Sequence, residues 1–248
     1  MGNYQWNWHV IFEEVAGTNE HYYQWLLSGL GWTVAVALSA WVIALILGSL
    51  IGTARTAPNK WLAGLATAYV ELFRNIPLIV QLFLWFFVLP EMLPQAAGDW
   101  MKQSMPLPEF FTAMVGLGLF TSARVAEQVR TGIMALPRGQ KNAGLAMGFT
   151  LPQVYRHVLL PMAFRIVIPP LTSEFMNVFK NSAVALAIGL TELTFQMRQI
   201  TGEYAPSNPI EVMTIVSVIY LILAFSVNRL MALIERRVRV PGYISGGK

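Results

Sequence analysis

The sequence predicts an all-α, polytopic membrane protein with five transmembrane helices and a folded cytoplasmic loop. Three observations carry that expectation. Of 248 residues, 55% are hydrophobic and only 12% are charged, where soluble domains carry roughly 25% charge. The apolar residues gather into runs of about 20 residues or more, the length of a bilayer crossing. Lysine and arginine cluster at the ends of these runs, mostly on one side. Disorder would need low hydrophobicity with high net charge, and a disulfide scaffold would need cysteine, of which there are 0. The net charge of +4 suits the basic loops of a membrane protein and implies no nucleic acid.

The elements follow in order. Residues 1–24 set Trp6, Trp8, Tyr22 and Tyr23 among Glu13, Glu14 and Glu20, an aromatic, acidic leader without the positive start of a signal peptide, and read as an interfacial segment outside. Trp25 to Thr53 is free of ionisable side chains and stops around Pro58 between Arg55 and Lys60, giving the first span. Trp61 to Pro90 is too long for one straight crossing and contains Glu71, Arg74 and Pro77, so the second span should bend or break at Pro77. Glu91 to Pro108 gathers prolines around Asp99 and Lys102 and reads as an outer loop. Phe110 to Leu136, the third span, takes on Arg124, Glu127 and Arg130 in its second half. Residues 138–161 are too polar to span and too helix-prone for disorder. Met162 to Leu190 is the fourth span, with Arg165, Glu174 and Lys180 inside it and Pro169 and Pro170 as breakers. Glu192 to Pro209 should return to water. Ile210 to Ile234 is the fifth span, ended by Glu235, Arg236, Arg237 and Arg239.

The organisation expected is therefore an N-terminal periplasmic segment over 1–24, a transmembrane domain over 25–240 and a cytoplasmic tail over 241–248. Arg55, Lys60, Arg138, Lys141, Arg156, Arg165, Arg236, Arg237 and Arg239 fall on one side, which is cytoplasmic by the charge rule. An odd number of spans then leaves the N-terminus outside and the C-terminus inside. No internal repeat is visible, so the paired broken segments of inverted-repeat transporters are missing.

Ionisable groups inside spans cost about 2.5–3.5 kcal/mol each on insertion scales and therefore face a partner helix or a wet path. Counted from the cytoplasmic ends, Glu71, Arg74, Arg124, Glu174 and Lys180 fall near the middle of the membrane, and they form the candidate substrate pathway. The bland alternative pairs Glu71 with Arg74 and Arg124 with Glu127 as structural charges one turn apart. Arg130 and Arg165, nearer the surface, suit snorkelling. Gly48 and Gly52 form a small-xxx-small pair that would let another helix approach, most simply for packing. GYISGGK at 242–248 meets most of the phosphate-loop spacing but lacks the following Ser or Thr and the receiving helix. His9, His21 and His157 have no ligand spacing, so no metal site is expected.

Residues 138–161 are the most informative stretch. Gly139 to Gly148 is helix-permissive, Phe149 to Pro152 a turn, and Gln153 to Leu160 a second helix that Pro161 should stop. Ala143, Gly144 and Ala146 would leave one face bare for docking against another protein. A surface hairpin packed on its own spans is the plain alternative.

Asn142-Ala143-Gly144, then Gly148, then Val158-Leu159-Leu160-Pro161 resemble the coupling-loop pattern of ABC importer permeases: E-A-A, three residues, G, nine residues, I, one residue, L-P. Asn142, Gly144 and Val158 depart from it, for Glu, Ala and Ile. The segment from Glu71 to Gln81, Glu-Leu-Phe-Arg-Asn-Ile-Pro-Leu-Ile-Val-Gln, is similar to the E-x-F-R-x-x-P-L-x-V-Q segment of the polar amino-acid subfamily. Pro169-Pro170, Phe179 to Ser182 and Glu192-Leu193 resemble the stretch after its coupling loop. The likeness covers about three quarters of the chain and is greatest to glutamate/aspartate importers.

The resemblance implies a bacterial inner-membrane subunit with no catalysis of its own. It would pair with a second homologous permease, two copies of a cytosolic ATPase and a periplasmic amino-acid-binding protein. ATP and magnesium would reside on the ATPase, with no cofactor on this chain. Asn142, Ala143, Gly144, Gly148, Leu160 and Pro161 would dock the ATPase. Arg74, Arg124 and Lys180 outnumber Glu71 and Glu174 by one, which suits an acidic amino acid. A stand-alone ion- or proton-coupled transporter using the same charges as a relay is the alternative.

Overall fold

A computed structural model describes residues 4–238; the C-terminal tail 241–248 and Arg239 lie outside the described residues. Among these the chain is helical, with no strand beyond an isolated bridge between Glu14 and His21. In order the helices are α1 (Tyr22–Ala54), α2 (Lys60–Asn75), α3 (Leu78–Phe83), α4 (Leu89–Met92), α5 (Gln95–Asp99), α6 (Pro108–Met134), α7 (Arg138–Ala146), α8 (Leu151–Val154), α9 (Leu160–Asn181), α10 (Leu193–Gln199) and α11 (Pro209–Val238).

Three helical runs are long and apolar enough to cross a membrane: Tyr22–Ala54, Leu151–Ile188 and Pro209–Val238. A fourth results if α2 and the run Leu78–Met92 form one broken span. The remaining expected span, the third in order, corresponds to α6. Its 27 residues reach about 40 Å at 1.5 Å per residue, but Arg124, Glu127 and Arg130 keep it below the apolar threshold, so length and composition alone do not give five. The break between α2 and α3 falls at Ile76 and Pro77, both extended, because proline disfavours a helical residue before it.

Several breakers act differently from expectation. Pro161 does not stop a helix: a π-type turn over Tyr155–Leu159 leads from α8 straight into α9, and the proline, which has no N–H to donate, falls just after that turn, where the ladder of helical hydrogen bonds is already shifted. Pro169 and Pro170 lie inside α9 without ending it. The outer loop 91–108 is not irregular. It folds as α5 and a π-type turn over Trp100–Ser104, tied by a 2.6 Å ion pair from Lys102 to Glu91.

The chain divides into two compact units that alternate along the sequence. One comprises Met1–Ala40, Pro77–Gly118 and Asn177–Ser226; the other Trp41–Ile76, Leu119–Met176 and Val227–Lys248. In the first unit Val10, Val15, Tyr22, Leu26, Leu193, Ile200, Ala205, Val212 and Val216 form a core. The N-terminal segment is thus a strap. Its Tyr4 hydroxyl and Asn7 main-chain N–H, the latter at 2.7 Å, both donate to Glu211 in the first turn of α11. The segment from Glu192 to Tyr204 does not return to water, for Glu192, Leu193 and Ile200 are fully buried. The Glu192 carboxylate caps α10 by accepting from the N–H groups of Thr194 and Phe195 at 2.9 and 2.8 Å, and it also accepts from Tyr220 at 3.2 Å. Thr33 completes the group by accepting from the Leu193 N–H at 3.1 Å.

In the second unit α1 and α6 pack closely. A methyl group at Gly48 would lie 2.6 Å from the Val125 side chain, and one at Gly52 would lie 2.5 Å from the Ala126 carbonyl oxygen. The glycine pair is a contact face for α6, as a small-xxx-small motif allows. On the α2 side, Val70 meets Ala123 and Ala126, and the Tyr69 hydroxyl lies 2.8 Å from Ser122 Oγ. Held by α1 and α2, α6 has its charged residues fixed in rotation.

Candidate functional site

A polar chamber of about 230 Å³ lies within the second unit, lined by Arg74, Asn75, Arg124, Glu127, Gln128 and Glu174. Each lining residue has a local cause. Arg74 and Asn75 are the last two residues of α2 before the proline break. Arg124, Glu127 and Gln128 recur at the three- and four-residue spacing that places side chains on one helix face. Glu174 comes from α9.

Neither pair of the bland reading, Glu71 with Arg74 or Arg124 with Glu127, forms; the pair one turn apart is Glu127 with Arg130. Glu71 is exposed and accepts from Asn75 Nδ2 at 3.1 Å instead of meeting Arg74. Glu127 is bound not by Arg124 but by Arg130, through Nε at 3.2 Å and through Nη2, and by Arg55 Nη1. Arg74 Nη1 approaches the same carboxylate no nearer than 3.9 Å, outside hydrogen-bonding range. The Arg124 guanidinium lies over the Phe120 ring at 4.9 Å, a cation–π contact. Its Nε and Oε2 of Glu174 are buried without a hydrogen-bond partner. Buried polar atoms are nearly always satisfied, and those that are not call for an explanation. Here an acidic and a basic group stand open in one polar chamber.

The chamber collects Arg74, Arg124 and Glu174 of the sequence candidates and adds Asn75, Glu127 and Gln128. Glu71 stands behind it through Asn75, while Lys180 is exposed on the last turn of α9, belongs to the first unit and is not among the lining residues. The spacing of Glu127 from Arg130 was visible in the sequence. That Arg55, 72 positions away, would claim the same carboxylate was not.

The hairpin over 138–161 is set by its turn. Gly148 has φ of +87°, a left-handed conformation that favours glycine, and the turn closes with Phe149 N–H donating to Gly144 O at 3.2 Å and Gly148 N–H to Leu145 O at 3.0 Å, the two bonds of a Schellman motif. Thr150 and Gln153 then form a capping box for α8. Gly144 is buried, not part of a bare face, since a Cβ there would lie 2.9 Å from the Val154 side chain. That contact explains the glycine where the importer pattern has alanine. Asn142, Ala143 and Gly148 are exposed, as is Pro161, while Leu160 is half-buried. Leu145, Met147 and Phe149 are large apolar side chains exposed beside them, Met147 at 70%, and were not singled out from sequence. The hairpin is tied to the start of the α1–α2 connection by the Tyr155 hydroxyl, which donates to the Thr56 carbonyl at 2.7 Å.

Residues 44–240 match the family described as the binding-protein-dependent transport system inner membrane component. In Escherichia coli O6:H1 (strain CFT073), two curated relatives are similar to the chain. The glutamate/aspartate import permease protein GltJ is 48% identical, covering 97% of this chain and 98% of the relative; its counterpart GltK is 29% identical, covering 86% and 93%. Among solved structures, the crystal structure of an amino acid ABC transporter with histidines matches with a TM-score of 0.72 and 30% identity, over 87% of this chain and 95% of that one.

Proposed function

Because the chain belongs to the family of binding-protein-dependent transport system inner membrane components, we propose that it carries glutamate and aspartate through the membrane as one permease of an ATP-driven importer. The observation that carries this reading is the chamber's charge once internal pairing is counted. Glu127 is committed to Arg55 and Arg130, a group that is itself net positive, and the residues left to face cargo, Arg74 and Arg124 against Glu174, carry one further positive charge in excess. A dicarboxylic amino acid, with net charge −1, complements that set. One carboxylate suits Arg124, the second Arg74, and the ammonium suits the open oxygen of Glu174, each as a charge-assisted hydrogen bond.

Similarity to GltJ, and to GltK of the same strain, supports both the substrate and a second homologous permease as partner. The likeness to a solved ABC transporter chain supports two cytosolic ATPase subunits docking on the hairpin, and the family's description supports a periplasmic binding protein as donor. The N-terminus then faces the periplasm and the hairpin the cytoplasm, in keeping with the basic residues on the hairpin side. Access alternates as the ATPases drive the spans between two arrangements.

The test is ATP-driven uptake of glutamate and of its uncharged isostere glutamine by the reconstituted complex, for the parent and for Arg74→Gln and Arg124→Gln. Each substitution should lower glutamate uptake per inserted copy at least tenfold, the scale of one lost charge-assisted contact. Unchanged glutamate uptake in both refutes the site.

A further inference from the structure

The chamber and the hairpin are joined by a short series of side chains, all within the second unit. Tyr155 of the hairpin bonds the carbonyl of Thr56 at 2.7 Å and its hydroxyl at 3.1 Å. The residue before Thr56 is Arg55, whose own N–H still bonds α1 through Ile51 O at 3.0 Å. Arg55 is nearly buried, its side chain 10% exposed. Its guanidinium is aimed by Thr67 of α2, which accepts from Nε at 3.3 Å, while Nη1 holds Glu127. Glu127 lines the chamber next to Arg74, whose side chain is 45% exposed and whose Nη1 stands 3.9 Å from the Glu127 carboxylate.

The carboxylate therefore has three arginines around it and bonds two. A carboxylate offers about four lone-pair sites, and three are taken by Arg55 Nη1, Arg130 Nε and Arg130 Nη2. Arg130 is one turn away on the same helix and moves with Glu127. Arg55 comes from the end of α1 and is the partner that can be withdrawn. On its withdrawal, Glu127 loses a cation while Arg74, the next one, lies within about an ångström of bonding distance.

We propose that Arg55 is a positioning residue that couples the hairpin to the substrate chamber: while it holds Glu127, Arg74 is open to a substrate carboxylate, and when the hairpin draws Thr56 and Arg55 away, Glu127 turns onto Arg74 and displaces that carboxylate. The inference rests on the chamber reading above. It gives the importer an internal anion that competes with cargo only when the hairpin moves, so release is timed by the ATPase without any substrate contact by the hairpin itself.

Equilibrium dialysis of the purified complex, without binding protein, against radiolabelled glutamate and glutamine tests it. Taking the ratio of the two affinities removes effects of expression and of the fraction folded. Arg55→Gln should lower the glutamate-to-glutamine ratio at least threefold, because Glu127 then competes for Arg74. Glu127→Gln should raise it, and the double variant should behave as Glu127→Gln alone, since the competitor is gone. Tyr155→Phe should leave the ratio in the nucleotide-free complex unchanged and reduce the fall in bound glutamate caused by ATP with vanadate. Equal loss of both ligands in Arg55→Gln, or additive effects in the double variant, would mean a merely structural network and overturn the coupling. If Arg74→Gln and Arg124→Gln leave the ratio unaltered, or the parent shows no saturable binding, the chamber itself fails and the inference with it.

Discussion

Alanine at Gly52 should weaken the protein, whereas alanine at Gly64 should strengthen it. Both glycines are helical, one in α1 and one in α2, and replacing glycine within a helix is worth about 0.8–1 kcal/mol in alanine's favour. At Gly64 a Cβ meets nothing within 4 Å, so that gain stands alone. At Gly52 it would lie 2.5 Å from the Ala126 carbonyl oxygen and 2.9 Å from Val129 Cβ. The first of these is main chain and cannot rotate aside, so α1 and α6 must part by several tenths of an ångström. Overpacking of this kind costs about 1–3 kcal/mol, which leaves a net loss of up to about 2 kcal/mol after the helical gain. With about 2–4 °C per kcal/mol for a chain of this size, Gly52→Ala lowers the thermal midpoint by a few degrees and Gly64→Ala raises it slightly. Differential scanning fluorimetry of the purified complex in a single detergent reads both. Equal increases for the two variants would refute the close α1–α6 contact.

Gly148→Asp forces a side chain into the left-handed region at φ of +87°, costing about 1–2 kcal/mol; we expect membrane insertion to persist while ATPase association and uptake fall, as co-purification and transport assays would show. Replacing the exposed apolar residues at the hairpin tip, Met147→Ser with Phe149→Ser, should likewise reduce ATPase retention on a column without changing the thermal midpoint. Glu192→Ala removes the cap of α10 and a partner of the Tyr220 hydroxyl, and should cost about 1–2 kcal/mol for the cap alone; a midpoint within a degree of the parent would contradict it.

The long elements were legible because apolarity alone specifies them. The runs at 25–53 and 210–234 coincide with α1 and α11, and the break at Pro77 follows from what proline does to the residue before it. Composition misleads where a polar residue is buried with partners. Glu192 reads as a return to water, yet it is enclosed because two N–H groups of α10 and the Tyr220 hydroxyl satisfy it. Proline misleads where the ladder is already shifted: Pro161 looks like a stop, yet the helix runs on through it from a π-type turn. In the chamber, the three-residue spacing brought Arg124, Glu127 and Arg130 together from sequence, without Gln128, but which carboxylate meets which arginine depends on the approach of α1 and α2. Spacing within one helix cannot supply that. It pointed to Glu71 with Arg74, where the structure has Glu71 with Asn75.

The N-terminal strap has a consequence for biogenesis. Its anchor, Glu211, lies 207 positions from Tyr4 and 204 from Asn7, and Val10 and Val15 share their core with Val212 and Val216 of α11. During synthesis the strap, which precedes α1, therefore waits for α11 before its burial is complete. Until α11 is in place, Val10 and Val15 lack Val212 and Val216 as neighbours, and Tyr4 and Asn7 lack Glu211 as their acceptor. Fastening of the strap is thus a late event of folding, set by the arrival of an element about 200 positions further along the chain.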